Sequence, residues 1–288
     1  MRPYEGLFTA MVTPFDGDGN VDEGSAVRLG RHLLEHGNDG LVICGTTGES
    51  ATLSDEEQLR LIELMIDELG DAGTLIAGTG SNETRHAVHL TERAVALGAR
   101  AVLSVTPYYN RPSRRGLHRH FEEVARAAAG VPVILYNIPS RTGLNMPPDL
   151  LAELAQIDGV EAVKQANSEE LQLIDGLAVL AGNDDILART LDIGGAGGIC
   201  VASHIVGDQM KRMFSEPERR AGLDSQLADV FRTLFVTANP TPVKAALNLL
   251  GHGVGGLRLP MVEADESELS EIRSMLTRHG LLEGAPAA

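Results

Sequence analysis

The chain predicts an α/β fold, a (β/α)8 TIM barrel over residues 1–206 followed by a C-terminal helical extension over 207–288 packed on the barrel. Three observations carry this. Eight short apolar runs recur along the first two-thirds of the sequence, helical patterns separate most of them, and the strands stop after Ser203. Each run is rich in Val, Ile or Leu and closes on Gly, Pro, Ser, Thr or Asn, the pattern of a strand buried on both faces. Strand and helix alternating in this way close a parallel sheet into a barrel. A doubly wound open sheet is the rival reading, but it calls for a Gly-rich nucleotide turn after the first strand. TPFDGDGN is a poor one.

In order, the expected strands are FTAMVTPF (8–15), GLVICG (40–45), TLIAGTG (74–80), AVLSVTP (101–107), VPVILYNI (131–138), VEAVKQA (160–166), LAVLAGN (177–183) and GGICVAS (197–203). In SDEEQLRLIELMIDEL, Leu59, Ile62, Leu64, Met65 and Ile66 make an apolar helix face. Ser54 is its expected N-cap, with Glu57 completing a capping box. SNETRHAVHLTERAVALG repeats the design and ends on Gly98. From about residue 207 the chain reads as helices, including SQLADVFRTLFV, PVKAALNLLG and a last one near 265–282, with the tail LEGAPAA expected to fray.

A formal charge of −16 argues against nucleic acid and anionic membranes as partners. No apolar run reaches the roughly 20 residues of a membrane span. The start MRPYEGLFTAMVTPF lacks a signal-peptide core, so a cytoplasmic protein is expected. Cys44 and Cys200 stand far apart without metal-ligand spacing and read as buried free thiols. His32 and His36 share a helix face, but no third ligand is evident. His86/His89 and His118/His120 fare no better. DGDGN lacks the later glutamate of a calcium loop, and RPSRR at 111–115 reads as a solvated loop. No metal or cofactor is expected.

Chemistry in such a barrel sits at the C-terminal ends of its strands. There the chain places CGTTGES, TPYYNRPS, LYNIPSRTG, VKQAN and AGND, and with them three of its four tyrosines, Tyr108, Tyr109 and Tyr136. It also places Lys164 there, one of only three lysines beside 21 arginines. Strand periodicity puts Val160, Ala162, Lys164 and Ala166 on one face, toward the barrel interior. Burial disfavours a charged amine and makes it nucleophilic, able to condense with a ketone as a Schiff base. A lysine paired with a carboxylate, or snorkelling to the barrel mouth, is the bland alternative. The available proton carriers are Tyr136 and Tyr109, with Thr46 or Thr47 as relay hydroxyls. The turn Gly45-Thr46-Thr47-Gly48 can offer N–H groups to a carboxylate. Arg141 can clamp a second one, or be a surface arginine.

GTTGES, AGTGSNET, TPYYNRPS, YNIPSRTG, VKQAN, NPTPVKAAL and LRLP stand in an order that resembles the dihydrodipicolinate synthase and N-acetylneuraminate lyase family of class I aldolases, over essentially the whole chain. The resemblance implies a condensation of pyruvate with L-aspartate 4-semialdehyde on the path to lysine and diaminopimelate. Cleavage of N-acetylneuraminate or of a 2-keto-3-deoxy sugar acid is the alternative, and a non-catalytic keto-acid-binding barrel the outsider. It implies a Schiff base on Lys164 and no separate cofactor. Tyr136 is then the central proton carrier, in a relay with Thr47 and with Tyr109 from a neighbouring subunit. Thr46 and Thr47 hold the pyruvate carboxylate, Arg141 the semialdehyde carboxylate, and Gly182 and Ile199 line the pocket. The shared tyrosine implies a dimer at least, typically a tetramer. Ser50, Ala51, Asn82 and Tyr108 match the family's effector site for lysine. Asp55, Gln58 and His86 stand where that site usually has histidines or a glutamate, so weak or absent lysine feedback is expected.

Overall fold

The computed structural model describes residues 2–282. The expected fraying tail falls almost wholly outside them, at 283–288. Eight parallel strands close in sequence order into a barrel. They are β1 (Gly6–Ala10), β2 (Gly40–Ile43), β3 (Thr74–Gly78), β4 (Ala101–Val105), β5 (Val133–Asn137), β6 (Val160–Gln165), β7 (Ala178–Ala181) and β8 (Gly197–Cys200). Each lies within or beside its expected run, generally shorter. The first departs most. It begins two residues early and ends at Ala10, because Met11 still donates to Val42 O but the chain then turns through Pro14 into an antiparallel bridge, Phe15 with Val21.

The barrel helices are α1 (Glu23–Glu35), α2 (Asp55–Leu69), α3 (Thr84–Ala96), α4 (Arg114–Ala127), α5 (Pro139–Thr142), α6 (Pro148–Leu154), α7 (Leu187–Asp192) and α8 (Ser203–Ser215). Ser54 and Glu57 make the reciprocal capping box on α2. On α3 the cap is Glu83, whose carboxylate accepts from His86 N. The helix therefore starts two residues past the serine-led expectation, and Gly98, at φ 101°, turns the chain just beyond its end. One crossover has no α-helix. Between β6 and β7 the chain makes only a 3₁₀ turn, Ser168–Glu170, and a tight bridge of Ile174 with Leu177. Twelve residues suffice to return to a parallel neighbour without one.

Beyond α8 come α9 (Arg220–Thr233), α10 (Thr241–Leu249) and α11 (Glu266–Arg278). The boundary expected at residue 206 falls on a kink inside α8, where Val206 has φ −130° and ψ 33°.

Apolar side chains form three layers. The barrel interior is filled by Tyr4, Phe8, Val42, Ile76, Ile134, Leu180 and their neighbours. Two further clusters lie between the sheet and its helices. Tyr4 fills the N-terminal end, its hydroxyl donating to Glu161 Oε2 at 2.8 Å, and burial, reinforced by Glu161, pushes that phenol up to about 12. Strict alternation along β6 fails here. Val133 pairs with Val160 but Ile134 pairs with Ala162, so Glu161 is an extra residue in the ladder. The bulge turns Val160 outward to join Val163, while Ala162 stays in the interior layer. Lys164, two residues past Ala162, keeps the expected inward face.

Candidate active site

Lys164 and Tyr136 each stand one residue from the end of their strands and pair directly in register. Both side chains are buried. Lys164 Nζ lies 4.3 Å from the centroid of the Tyr136 ring. Among the described residues, none gives that amine a hydrogen bond or an ion pair. The bland alternative of a carboxylate-paired lysine is thus not what the fold builds. A carboxylate is nearby, however. Asp184, fully buried, accepts from the backbone of Val201 at 2.8 Å and Ala202 at 3.1 Å, at the end of β8. Burial pushes it up to about 6, against these donors and the Lys164 charge. Asp184 closes the AGND motif, and a strand-end motif does not reveal that its carboxylate accepts from amides 17 and 18 positions on.

β7 approaches β6 closely beside the lysine. Gly182 N donates to Gln165 O at 2.7 Å, and a Cβ on Gly182 would meet Ala166 Cβ and N at 2.8 Å. Only glycine fits there. Ile199 is fully buried in the interior layer.

The GTTGES segment after β2 is a compact turn. Gly48 N donates to Gly45 O, Glu49 N to Thr46 O, and Thr13 Oγ1 donates to Gly48 O at 2.6 Å. The amides of Thr46 and Thr47 donate to no described residue, which leaves them for an anion. Thr47 is buried and its Oγ1 accepts from Asn239 Nδ2 at 2.9 Å. Arg141 sits in α5, a single helical turn rather than a loop, closed by Gly143 at φ 69°. Its Nη2 donates to Asn239 O at 3.2 Å. Asn239 therefore touches two of the expected site residues from beyond the barrel. It stands in the quoted NPTPVKAAL, but nothing local announces a side chain whose partner lies 192 positions away.

A cavity of about 440 Å³ joins Thr46 and Arg141 to Ser50, Ala51 and Tyr108, with Asp55, Gln58 and His86 on its wall. Lys164 and Tyr136 lie outside its lining. Asn82 also lies outside it, its carbonyl accepting from Asn110 Nδ2 at 2.7 Å. His86 is held at both nitrogens, Nε2 by Asp55 Oδ1 at 2.8 Å and Nδ1 by Ser81 Oγ at 3.0 Å. Gln58 spends its amide on the carbonyls of Ser50 and Leu53. Tyr109 is not brought to Lys164 within the chain. It is 90% exposed, on a left-handed backbone at φ 71°.

The bland readings fare variously. Burial pushes both free thiols, Cys44 and Cys200, up. Of RPSRR, Arg114 is taken by Asp149 and Glu153 and begins α4. The DGDGN turn folds on itself, Asp16 accepting from the amides of Asp18 and Asn20. The fold adds a third ring, His252, to the His32–His36 pair, at 4.5 Å from His32. Among the described residues no three His, Cys, Asp or Glu groups are placed to hold a metal ion, and no helix is long and apolar enough to cross a membrane.

Comparison with known proteins decides the family. The model of the dihydrodipicolinate synthetase family matches residues 3–279. The chain belongs to this family. It is 42% identical to the 4-hydroxy-tetrahydrodipicolinate synthase of a Cyanothece species, over 98% of this chain and 100% of the relative. To that of a Synechococcus strain it is 46% identical, over 91% of each. Among solved structures, the enzyme from Cyanidioschyzon merolae with lysine bound superposes with a TM-score of 0.93 at 37% identity, covering 98% of this chain and all of that one. The chloride-inhibited enzyme from Acinetobacter baumannii, complexed with pyruvate, gives 0.92 at 35%, covering 96% and 99%.

Proposed function

We propose that this family member catalyses the 4-hydroxy-tetrahydrodipicolinate synthase reaction, the condensation of pyruvate with L-aspartate 4-semialdehyde in lysine and diaminopimelate biosynthesis. It is a pyruvate-dependent class I aldolase, a lyase, working in the cytoplasm without a separate cofactor. The observation that carries this is the buried Lys164 amine, with no carboxylate partner among the described residues, against the Tyr136 ring at the C-terminal end of the barrel.

Lys164 Nζ adds to the pyruvate C2 carbonyl, and loss of water from the carbinolamine leaves a Schiff base. The iminium accepts the electron pair left when the methyl group loses a proton, giving an enamine. The enamine carbon attacks the semialdehyde's carbonyl carbon, whose oxygen takes up a proton. The substrate's own amine then attacks the imine carbon, closes the ring and expels Lys164. Tyr136 carries the protons, with Thr47 and a neighbouring subunit's Tyr109 as relay. The unpaired amides of Thr46 and Thr47 and the Thr46 hydroxyl receive the pyruvate carboxylate, which leaves the single Thr47 hydroxyl hydrogen to the relay. Arg141 receives that of the semialdehyde, while Gly182 and Ile199 shape the floor. A dimer is then the smallest complete unit, and a tetramer the expected assembly.

Lysine regulates this chain weakly or not at all. At the effector-site positions Asp55 is the one carboxylate lining the cavity among the described residues, and it is already shared with His86, while Gln58 is neutral, so an incoming ammonium meets no undivided negative charge.

The test is turnover of pyruvate with L-aspartate 4-semialdehyde, coupled to the following reductase, beside a Lys164→Ala control. Turnover of roughly one per second or faster, lost in the control, supports the reading. Negligible turnover with pyruvate still trapped on Lys164 by borohydride removes this aldehyde and directs the assay to sugar-acid cleavage.

A further inference from the structure

The fold reaches back over the turn that carries Thr46 and Thr47 with a segment from beyond the barrel. Asn239, two residues before α10, is 6% exposed, and its Nδ2 donates to Thr47 Oγ1 at 2.9 Å. Its backbone oxygen accepts from Arg141 Nη2. The Asn239 Oδ1 atom is buried with no partner among the described residues. Five residues on, Lys244 reaches the same turn. Its Nζ donates to Glu49 Oε1 at 2.7 Å and to Gly256 O at 2.6 Å. The second oxygen of that carboxylate accepts from Arg258 N at 3.1 Å. The threonine turn is thus gripped twice by the C-terminal segment, once by an ion pair beside it and once by an amide on the threonine hydroxyl itself.

A hydroxyl has one hydrogen and two acceptor sites. When an amide N–H occupies an acceptor site of Thr47, the hydroxyl hydrogen must point elsewhere. No described residue accepts it. We infer that Asn239 is a positioning residue for the reaction, setting the direction in which Thr47 hands on its proton and registering Thr47 against Arg141. It touches no reacting atom in this role. The inference rests on the Schiff-base reading above, with Thr47 in the relay. A purely structural Asn239 would hold the C-terminal segment down and nothing more, and the two roles differ in how they combine with Thr47.

The experiment is a double-mutant cycle in the full-length protein with pyruvate and L-aspartate 4-semialdehyde. Asn239→Ala is expected to lower kcat roughly ten- to hundred-fold, a part of what a positioned proton carrier supplies. Its KM for pyruvate should stay within about twofold, the mark of an interaction made in the transition state. Thr47→Val should lose at least as much, and in that background Asn239→Ala should cost nothing further. Asn239→Asp, nearly isosteric, accepts rather than donates at neutral pH and should lose activity likewise. It carries the same cycle if the alanine variant fails to fold. Losses that multiply across the cycle, or an Asn239→Asp variant with full kcat, overturn the inference. A parallel arm traps pyruvate on the wild-type chain with borohydride. Failure there removes the Schiff-base reading and this inference with it, whereas failure of the cycle removes only the role of Asn239.

Discussion

Lys164 and Lys244 are both buried, and Lys244 the more deeply, at 1% exposure against 5%. Each ammonium also lies over an aromatic face, Tyr136 at 4.3 Å and Phe15 at 4.1 Å. They differ in what neutralises them. Lys244 has Glu49 Oε1 and Gly256 O within 2.7 Å, so its charge is paired although burial works to lower its pKa. Lys164 has no such partner among the described residues. Desolvation alone therefore does not mark a nucleophile; desolvation with an amine left free to react does. On the proposed reading the first lysine is the nucleophile, and the second ties the C-terminal segment to the threonine turn.

Replacing each lysine by methionine is the sharpest way to break this contrast. Lys164→Met should lower turnover by more than ~10³-fold and abolish borohydride trapping of pyruvate, measured by steady-state kinetics and mass spectrometry. Its denaturation midpoint should hold or rise, since an unpaired buried amine stabilises nothing. Lys244→Met should do the reverse. It leaves Glu49 buried without its cation and should cost about 3–5 kcal/mol in denaturant unfolding, while whatever remains folded still traps pyruvate. A stable Lys244→Met chain would show that the pair is not what holds the segment.

His204 extends the comparison to a third buried titratable group. Its Nε2 accepts from Val12 N at 3.1 Å and its Nδ1 donates to Val201 O at 2.8 Å, so the neutral ring is fully used. Burial pushes it down to about 4. Because the folded value lies below the ordinary one, the unfolded chain takes up the proton first as pH falls. Its contribution is present above the ordinary histidine range and lost toward pH 4, at most about 3 kcal/mol. His120 shifts the same way. Urea midpoints between pH 4 and 7 should climb with pH, and climb less in His204→Gln. Equal slopes in the two chains would return the proton uptake to other groups.

A smaller change tests the lysine's strand. Gly182→Ala puts a methyl 2.8 Å from the Ala166 backbone N and must push β7 off β6. A cost of about 1–3 kcal/mol is expected, with a larger loss in kcat than its stability alone predicts. The smallest effect is expected at the effector cavity. Sub-millimolar L-lysine should leave the initial rate unchanged, because the cavity's carboxylate, Asp55, is already shared with His86 and Gln58 carries no charge. Clear inhibition in that range would show that His86 yields Asp55 to the ligand.

The barrel was legible because its strands are short, apolar and sharply closed, a signal carried within each segment. Lys164 was legible because an amine breaks such a run, and Tyr136 because the chain has only four tyrosines. Ser54 with Glu57 was legible because a capping box spans four residues. By contrast, the bulge at Glu161 was not, since alternation cannot show where a partner strand loses register. The helix-free crossover from β6 to β7 was also invisible to periodicity, which does not record how little chain a return requires.

By itself, then, the sequence determined the strand segments, the inward lysine and the gathering of polar residues at the strand ends, because each depends on residues a few positions apart. Tertiary structure alone decided which buried lysine is neutralised, that Asp184 caps the end of β8, and that Asn239 holds Thr47. Those contacts join Lys244 to Glu49 across 195 positions, Asn239 to Thr47 across 192, and Asp184 to Val201 across 17. No local pattern encodes such pairings; they exist only once closure of the barrel and packing of its C-terminal segment bring the partners together and remove the water between them.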